Sequence, residues 1–145
     1  MPNRTLIIDD EQSIRATLSI ALHERGHETS VAASTDSCPV LCHGECYCVG
    51  NELCANFLVI DQNLPGCKGL DFIEHLVRIK CKIPPENCAV MSAHLDLSEL
   101  EQADRLGCKV LHKPVTFTKL NLWLDEREPL VNHSSRLLPL PAAQE

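Results

Sequence analysis

Three aspartates, one serine and one lysine carry the chemistry legible in this chain. Asp9 and Asp10 follow the apolar run Leu6-Ile7-Ile8, and Asp61 ends the run Phe57-Leu58-Val59-Ile60. Ser92 closes Ala89-Val90-Met91, and Lys113 lies just beyond Val110-Leu111. Short apolar runs bounded by turn residues read as buried parallel strands. The carboxyl ends of parallel strands share one sheet edge, where open α/β sheets place their ligands. Residues far apart in sequence therefore converge there. Carboxylates held together repel and raise each other's pKa unless a cation is present. Oxygen donors of this kind suit Mg²⁺, which takes one or two carboxylates and keeps several waters. Lys113 adds a point charge and Ser92 a hydroxyl, so the set can receive the oxygens of a phosphoryl group carried by Asp61. Taken singly, each residue has a structural reading; Asp10 before Glu11, for instance, fits a helix N-cap. One such residue at each successive strand end is harder to explain structurally.

The elements that must position these groups alternate along the chain. Strands are predicted over Thr5 to Ile8, Thr29 to Ala33, Phe57 to Asp61, Ala89 to Ser92 and at Val110-Leu111. Helical periodicity runs from about Glu11 to Glu24, with Ile14, Leu18, Ala21 and Leu22 on one face and Gly26 closing it. It returns from Leu70 to Lys80, where Pro84-Pro85 is the expected stop, and from about Ser98 to Leu106, with Leu100, Ala103 and Leu106 inward and Gly107 at the end. Phe117, Leu120 and Leu124 mark a last helix. Alternation of this kind implies βαβ units with right-handed crossovers.

The 145 residues predict one domain, and the chain is long enough to bury a core. With only 3% aromatic residues, that core must come from Leu, Ile, Val and Ala. A net charge of −7 argues against nucleic-acid binding. No apolar run approaches the roughly 20 residues of a membrane span, and Leu6-Ile7-Ile8 is too short for a signal peptide. A cytoplasmic protein is the expectation.

On Asp9-Asp10, on Asp61 with Asn63, Pro65 and Gly69, on Ser92-Ala93 and on Lys113-Pro114, the chain resembles a response-regulator receiver domain of the two-component systems, over about residues 3 to 125. The resemblance implies a flavodoxin-like α/β fold, a doubly wound five-stranded parallel sheet of order 2-1-3-4-5 flanked by five helices. It implies Asp61 as phospho-acceptor and Mg²⁺ held by Asp10, Asp61 and the main-chain carbonyl of Asn63, with Asp9 acting mostly through water. Lys113 would pair with the phosphoryl oxygens, Ser92 would move toward them on activation, Ala93 would leave room for the donor, and Lys113-Pro114 would often be cis. The domain would span residues 1–127, with a Cys-rich insertion at 38–54 and a tail or linker at 128–145. The implied partner is a sensor histidine kinase or phosphotransfer protein. Output to an unknown protein would pass by contact through the fourth helix, fifth strand and fifth helix. The domain would be a monomer or weak dimer, away from nucleic acid and membrane. It would be no enzyme beyond promoting its own phosphorylation and dephosphorylation. One departure is Val110, where the family usually carries Tyr or Phe. His94, near the site entrance, stands where family members tune phosphate loss.

The larger departure is the stretch where the second helix should lie. Five of the nine cysteines, Cys38, Cys42, Cys46, Cys48 and Cys54, fall here, interrupted by Pro39, Gly44 and Gly50. The helix is expected to be shortened, displaced or replaced. Four thiolates, or three with His43, could bind Zn²⁺ or an iron–sulfur cluster. Disulfide formation on oxidation and an inert surface loop compete with these. A receiver-like scaffold that senses metal or redox state through this segment is the alternative function. Cys67, Cys81, Cys88 and Cys108 read as small apolar residues, with Cys67 notable for its nearness to Asp61.

Overall fold

The computed structural model describes residues 2–36, 41–42, 45–46, 52–132 and 136–139, with the backbone alone at 41–42, 45–46 and 52. Strands β1 (Arg4–Ile8), β2 (Glu28–Ala32), β6 (Phe57–Asp61), β7 (Cys88–Ser92) and β8 (Lys109–His112) form one parallel sheet. Its order is β2-β1-β6-β7-β8. Counting these five alone gives 2-1-3-4-5, as expected. Between β2 and β6 lie two-residue strands, the antiparallel pair β3 (Leu41–Cys42) and β4 (Glu45–Cys46), then β5 (Glu52–Leu53). Helices α1 (Gln12–Glu24), α2 (Gly69–Arg78), α3 (Leu97–Leu106) and α4 (Phe117–Arg127) are the α-helices among the described residues. None of these is long and apolar enough to cross a membrane.

Strand alternation sorts the core into two layers. Leu6, Ile8, Leu58, Ile60 and Val90 face α2 and α3, packing with Leu70, Ile73 and Leu76. Ile7, Phe57, Val59 and Met91 face the other way, onto Leu18 and Leu22 of α1 and Leu120 and Trp123 of α4. Both faces of β6 are buried throughout, which explains its unbroken apolar run. Phe57 and Trp123 meet edge to face at 5.6 Å.

Three details differ from the sequence expectation. Helix α2 ends at Arg78 rather than at Lys80, because Lys80 adopts φ 61° and Cys81 N–H returns to the Leu76 carbonyl at 2.9 Å. This left-handed closure stops the helix before the prolines are reached; Pro85 opens a short 3-10 turn instead. Leu100 is 44% exposed rather than inward, since α3 buries only its Ala103 face. Helix α3 also starts one residue earlier, at Leu97, capped by Asp96 in a reciprocal box with Glu99.

Beyond Arg127 the chain makes a 3-10 turn and then β9 (Arg136–Leu137), parallel to β5. Arg4 Nη1 donates both to the Cys54 carbonyl at 3.0 Å and to the Leu138 carbonyl at 2.6 Å. Glu128 accepts from Arg25 and pairs with His27 Nε2 at 2.7 Å, while His27 Nδ1 meets Thr5 Oγ1 at 2.9 Å.

Candidate functional site

Asp9, Asp10 and Asp61 meet at the carboxyl edge of the sheet, where β1 and β6 end side by side. One oxygen from each lies within 4.8 Å of the others. Asp9 and Asp61 are buried and Asp10 is exposed. Asp10 does not cap α1. Glu11 is the N-cap residue, and its N–H donates to Asp9 Oδ1 at 2.8 Å. Arg15 of α1 holds the Asp9 carbonyl at 2.7 Å. Asp9 Oδ2 is buried without a hydrogen-bond partner. Burial raises the Asp9 pKa above the usual carboxylate range. The neighbouring Asp61 and Asp10 charges add to this, against the Glu11 N–H and Lys113.

Lys113, the residue directly after β8, reaches this cluster along the same edge. Its Nζ is 3.1 Å from Asp61 Oδ1 and 3.6 Å from Asp9 Oδ2. Burial works against its charge, but the Asp61 hydrogen bond and the Asp9, Asp61 and Glu11 charges together outweigh it, so its pKa is raised. The Lys113-Pro114 bond is cis. Ser92 ends β7 on the same edge, buried. Its hydroxyl is committed to the following loop, donating to the His94 carbonyl at 2.8 Å and accepting from His94 N–H at 3.1 Å. Ala93 and His94 are exposed beside it. Asn63 is exposed, with its Oδ1 accepting from Lys68 Nζ at 3.1 Å.

Sequence reasoning missed two residues here. Arg15 gave no signal that separates it from an ordinary helix surface residue. Gln62 gave one: a polar residue directly after Asp61 must face the opposite side of the sheet, into the core. It is 1% exposed. Gly69 is required by close approach, because a Cβ there would lie 2.6 Å from the Asp61 carbonyl oxygen.

The cysteines form no comparable constellation among the described residues, where Asp9, Asp10 and Asp61 are the group with metal-ligand proximity. Cys38 and Cys48 lie outside the described residues, and Cys42 and Cys46 are described as backbone only. Cys54 is buried in the α2–α3 core layer, as is Cys88. Burial raises the Cys88 thiol far above its ordinary range and pushes Cys108 up to about 11. Cys67 packs on the same layer, its pKa raised by burial and then by Asp71. Thiols held protonated in this way behave as small hydrophobes.

A family model for the response regulator receiver domain matches residues 5–125. A search of curated proteins finds no match. Among solved structures, a putative response regulator from Chloroflexus aurantiacus is 22% identical, with TM-score 0.67 over 87% of this chain and 97% of that one. The chemotaxis protein CheY4 of Vibrio cholerae is 19% identical, with TM-score 0.67 over 87% and 98%. A beryllofluoride-activated NtrC4 receiver domain, solved as a dimer, is 23% identical, with TM-score 0.66 over 85% and 93%. At these identities the structural likeness speaks for the fold, and the family match over most of the chain speaks for membership. The chain belongs to the response regulator receiver domains, the phospho-acceptor signalling domains of two-component systems.

Proposed function

We propose that Asp61 is the phospho-acceptor and that a sensor histidine kinase or phosphotransfer protein is the donor. One observation carries this reading. A buried carboxylate at a strand end is paired at 3.1 Å with Lys113 and stands within 4.8 Å of two further carboxylates. In the transfer, the P–N bond of the donor phosphohistidine breaks as an Asp61 oxygen bonds to phosphorus, and the electron pair returns to the imidazole. Lys113 lies where it can shift from the Asp61 carboxylate to a phosphoryl oxygen while keeping its charge. Ser92 must release His94 before its hydroxyl can donate to the phosphoryl group.

The residues present fit Mg²⁺. The donors are hard oxygens, and Asp9 Oδ2, which accepts no hydrogen bond, suits a water of the ion's hydration shell. Asp10 and Asp61, with the main-chain carbonyl of Asn63, would hold the ion and Asp9 would act through water. When bound, Mg²⁺ supplies neutralisation of the charge that three carboxylates and a phosphoryl group bring together.

Two surfaces support protein contact on either side of the site. A groove of about 510 Å³ opens beside Lys113, lined by Ile14, Leu18, Met91, Pro114 and Val115 among others, and could seat the donor. On α3, Leu97 is 72% exposed and Leu100 44%, an apolar face suited to an output partner. The expected result for Asp61→Asn is complete loss of labelling by acetyl phosphate and of beryllofluoride binding. Undiminished labelling of that variant would overturn the assignment.

A further inference from the structure

We propose that Gln62 couples the state of Asp61 to helix α3. The proposal rests on the reading of Asp61 as phospho-acceptor. Each polar group of this buried side chain and of its peptide is taken by a different neighbour. Its N–H donates to the Met91 carbonyl of β7 at 2.9 Å, and its carbonyl accepts from Gly69 N–H at 3.1 Å. Its Oε1 accepts from Leu70 N–H at 2.8 Å, and its Nε2 donates to Glu99 Oε2 at 2.5 Å. Glu99 Oε1 meanwhile accepts the Asp96 N–H at 3.0 Å. One carboxylate thus closes the N-terminal cap of α3 and also holds the residue next to the phospho-acceptor.

Both ends of this link favour transmission over mere packing. At the near end the main chain of Asp61 and Gln62 has no slack toward α2, because a single Cβ at Gly69 would lie 2.6 Å from the Asp61 carbonyl oxygen and 3.2 Å from Gln62 Cα. A shift of the Asp61 main chain is therefore passed on rather than absorbed. At the far end α3 is lightly held. Ala103 is its fully buried residue, and its polar ties to α2, Gln102 to Asp71 and Arg105 to Glu74, are exposed. A helix seated this loosely can take two positions, and its exposed Leu97 and Leu100 would report the change to a partner. The side chain at 110, which would offer a second route along β8, is a half-buried valine with nothing to hydrogen-bond or swing.

The test is hydrogen exchange of α3 amides with and without beryllofluoride and Mg²⁺, with acceptor occupancy followed separately by fluorine NMR. In the unmodified protein, occupancy should change α3 exchange by about tenfold, an ordinary size for coupling between two sites. Gln62→Glu sets two carboxylates against each other, and Gln62→Met removes the bond without adding charge. Each should still bind beryllofluoride, with the α3 change reduced to about twofold or less, below the roughly fivefold at which coupling between sites ordinarily begins. The double variant Gln62→Glu/Glu99→Gln exchanges donor and acceptor while leaving an oxygen for both Leu70 N–H and Asp96 N–H, and should recover the response. A purely structural role would lower the unfolding midpoint of the single variants without removing the α3 change. An unreduced α3 change in occupied Gln62→Glu and Gln62→Met, or no recovery in the double variant, would overturn the coupling. Failure of the unmodified protein to bind beryllofluoride would instead overturn the Asp61 reading and the coupling with it.

Discussion

Replacing Asp9 by asparagine should stabilise the metal-free protein. Asp9 is fully buried, with one oxygen bonded to Glu11 N–H and the other without a hydrogen bond, 3.6 Å from Lys113 Nζ. At an effective dielectric of about 20, two carboxylate charges within 4.8 Å of each other repel by about 3.5 kcal/mol or more, while Lys113 at 3.6 Å attracts by about 4.6 kcal/mol. Water screens the share of exposed Asp10. Attraction and repulsion therefore nearly cancel, and the cost of burying a charge decides the sign. An unsatisfied buried polar group costs about 1–3 kcal/mol, more when charged. Asparagine keeps an oxygen for Glu11 N–H and removes the charge, so a net gain of about 1–2 kcal/mol is expected. Urea unfolding in a chelator, followed by fluorescence of Trp123, the sole tryptophan, measures it directly. That indole is buried against Phe57 and reports loss of the α1–α4 core layer. Saturating Mg²⁺ should reverse the order, since an ion at 100 times its Kd adds about 2.7 kcal/mol to the native protein and the variant binds it more weakly. The reasoning fails if the variant gains nothing in chelator, or keeps the same advantage in Mg²⁺.

Two further outcomes follow from the geometry. Burial works against the Glu128 charge, but hydrogen bonds from Arg25 and His27 outweigh it and lower its pKa. Its contribution is thus fully present above the ordinary glutamate range and is lost as pH falls through its lowered folded value. Glu128→Gln should cost about 1–2 kcal/mol near neutrality, with the gap to the unmodified protein closing under acid in paired urea titrations; a gap that widens instead refutes it. Gly69→Ala would gain up to about 1 kcal/mol on helix propensity alone, whereas a Cβ 2.6 Å from the Asp61 carbonyl oxygen predicts a net loss of about 1–2 kcal/mol from overpacking. The sign of the change in denaturation midpoint separates the two.

The site was legible because its residue types are costly to bury without a task. Asp9, Asp61 and Lys113 stand out against the apolar runs they terminate, and parallel topology then brings them together without any further information. The strand order needed the family resemblance, because alternation fixes only that the strands are parallel. Helix ends were less legible. Nothing in the local sequence separates Lys80 as a left-handed closing residue from Lys80 as a last helical residue, since lysine rarely takes φ 61°. The outward turn of Leu100 was hidden for another reason. Periodicity marks an apolar stripe without saying which part of it the sheet covers, and α3 packs narrowly through Ala103. Gln62 was passed over because glutamine after an acid resembles a turn residue, and its value lies in four partners from three other elements.

The two ends of the sheet treat charge in opposite ways, and this explains how one edge can afford its chemistry. At the carboxyl edge a buried carboxylate oxygen has no hydrogen-bond partner, and one lysine pairs with two of the three clustered acids, Asp9 and Asp61. At the amino edge the polar groups are matched. Thr5, His27, Glu128 and Arg25 form a continuous chain of hydrogen bonds, and Arg4 joins Glu28 to the carbonyls of Cys54 and Leu138. These matched groups tie the residues beyond Arg127 to β1 and β2, and to the end of the Cys-rich stretch through β5. Five residues of strand, about 3.3 Å each, separate the two edges. That separation lets satisfied groups at one edge offset strain at the other without touching the acceptor. Weakening the amino edge should therefore lower stability while leaving the distance between Asp61 and Lys113 unchanged, whereas a carboxyl-edge change such as Asp9→Asn alters stability and ion binding together.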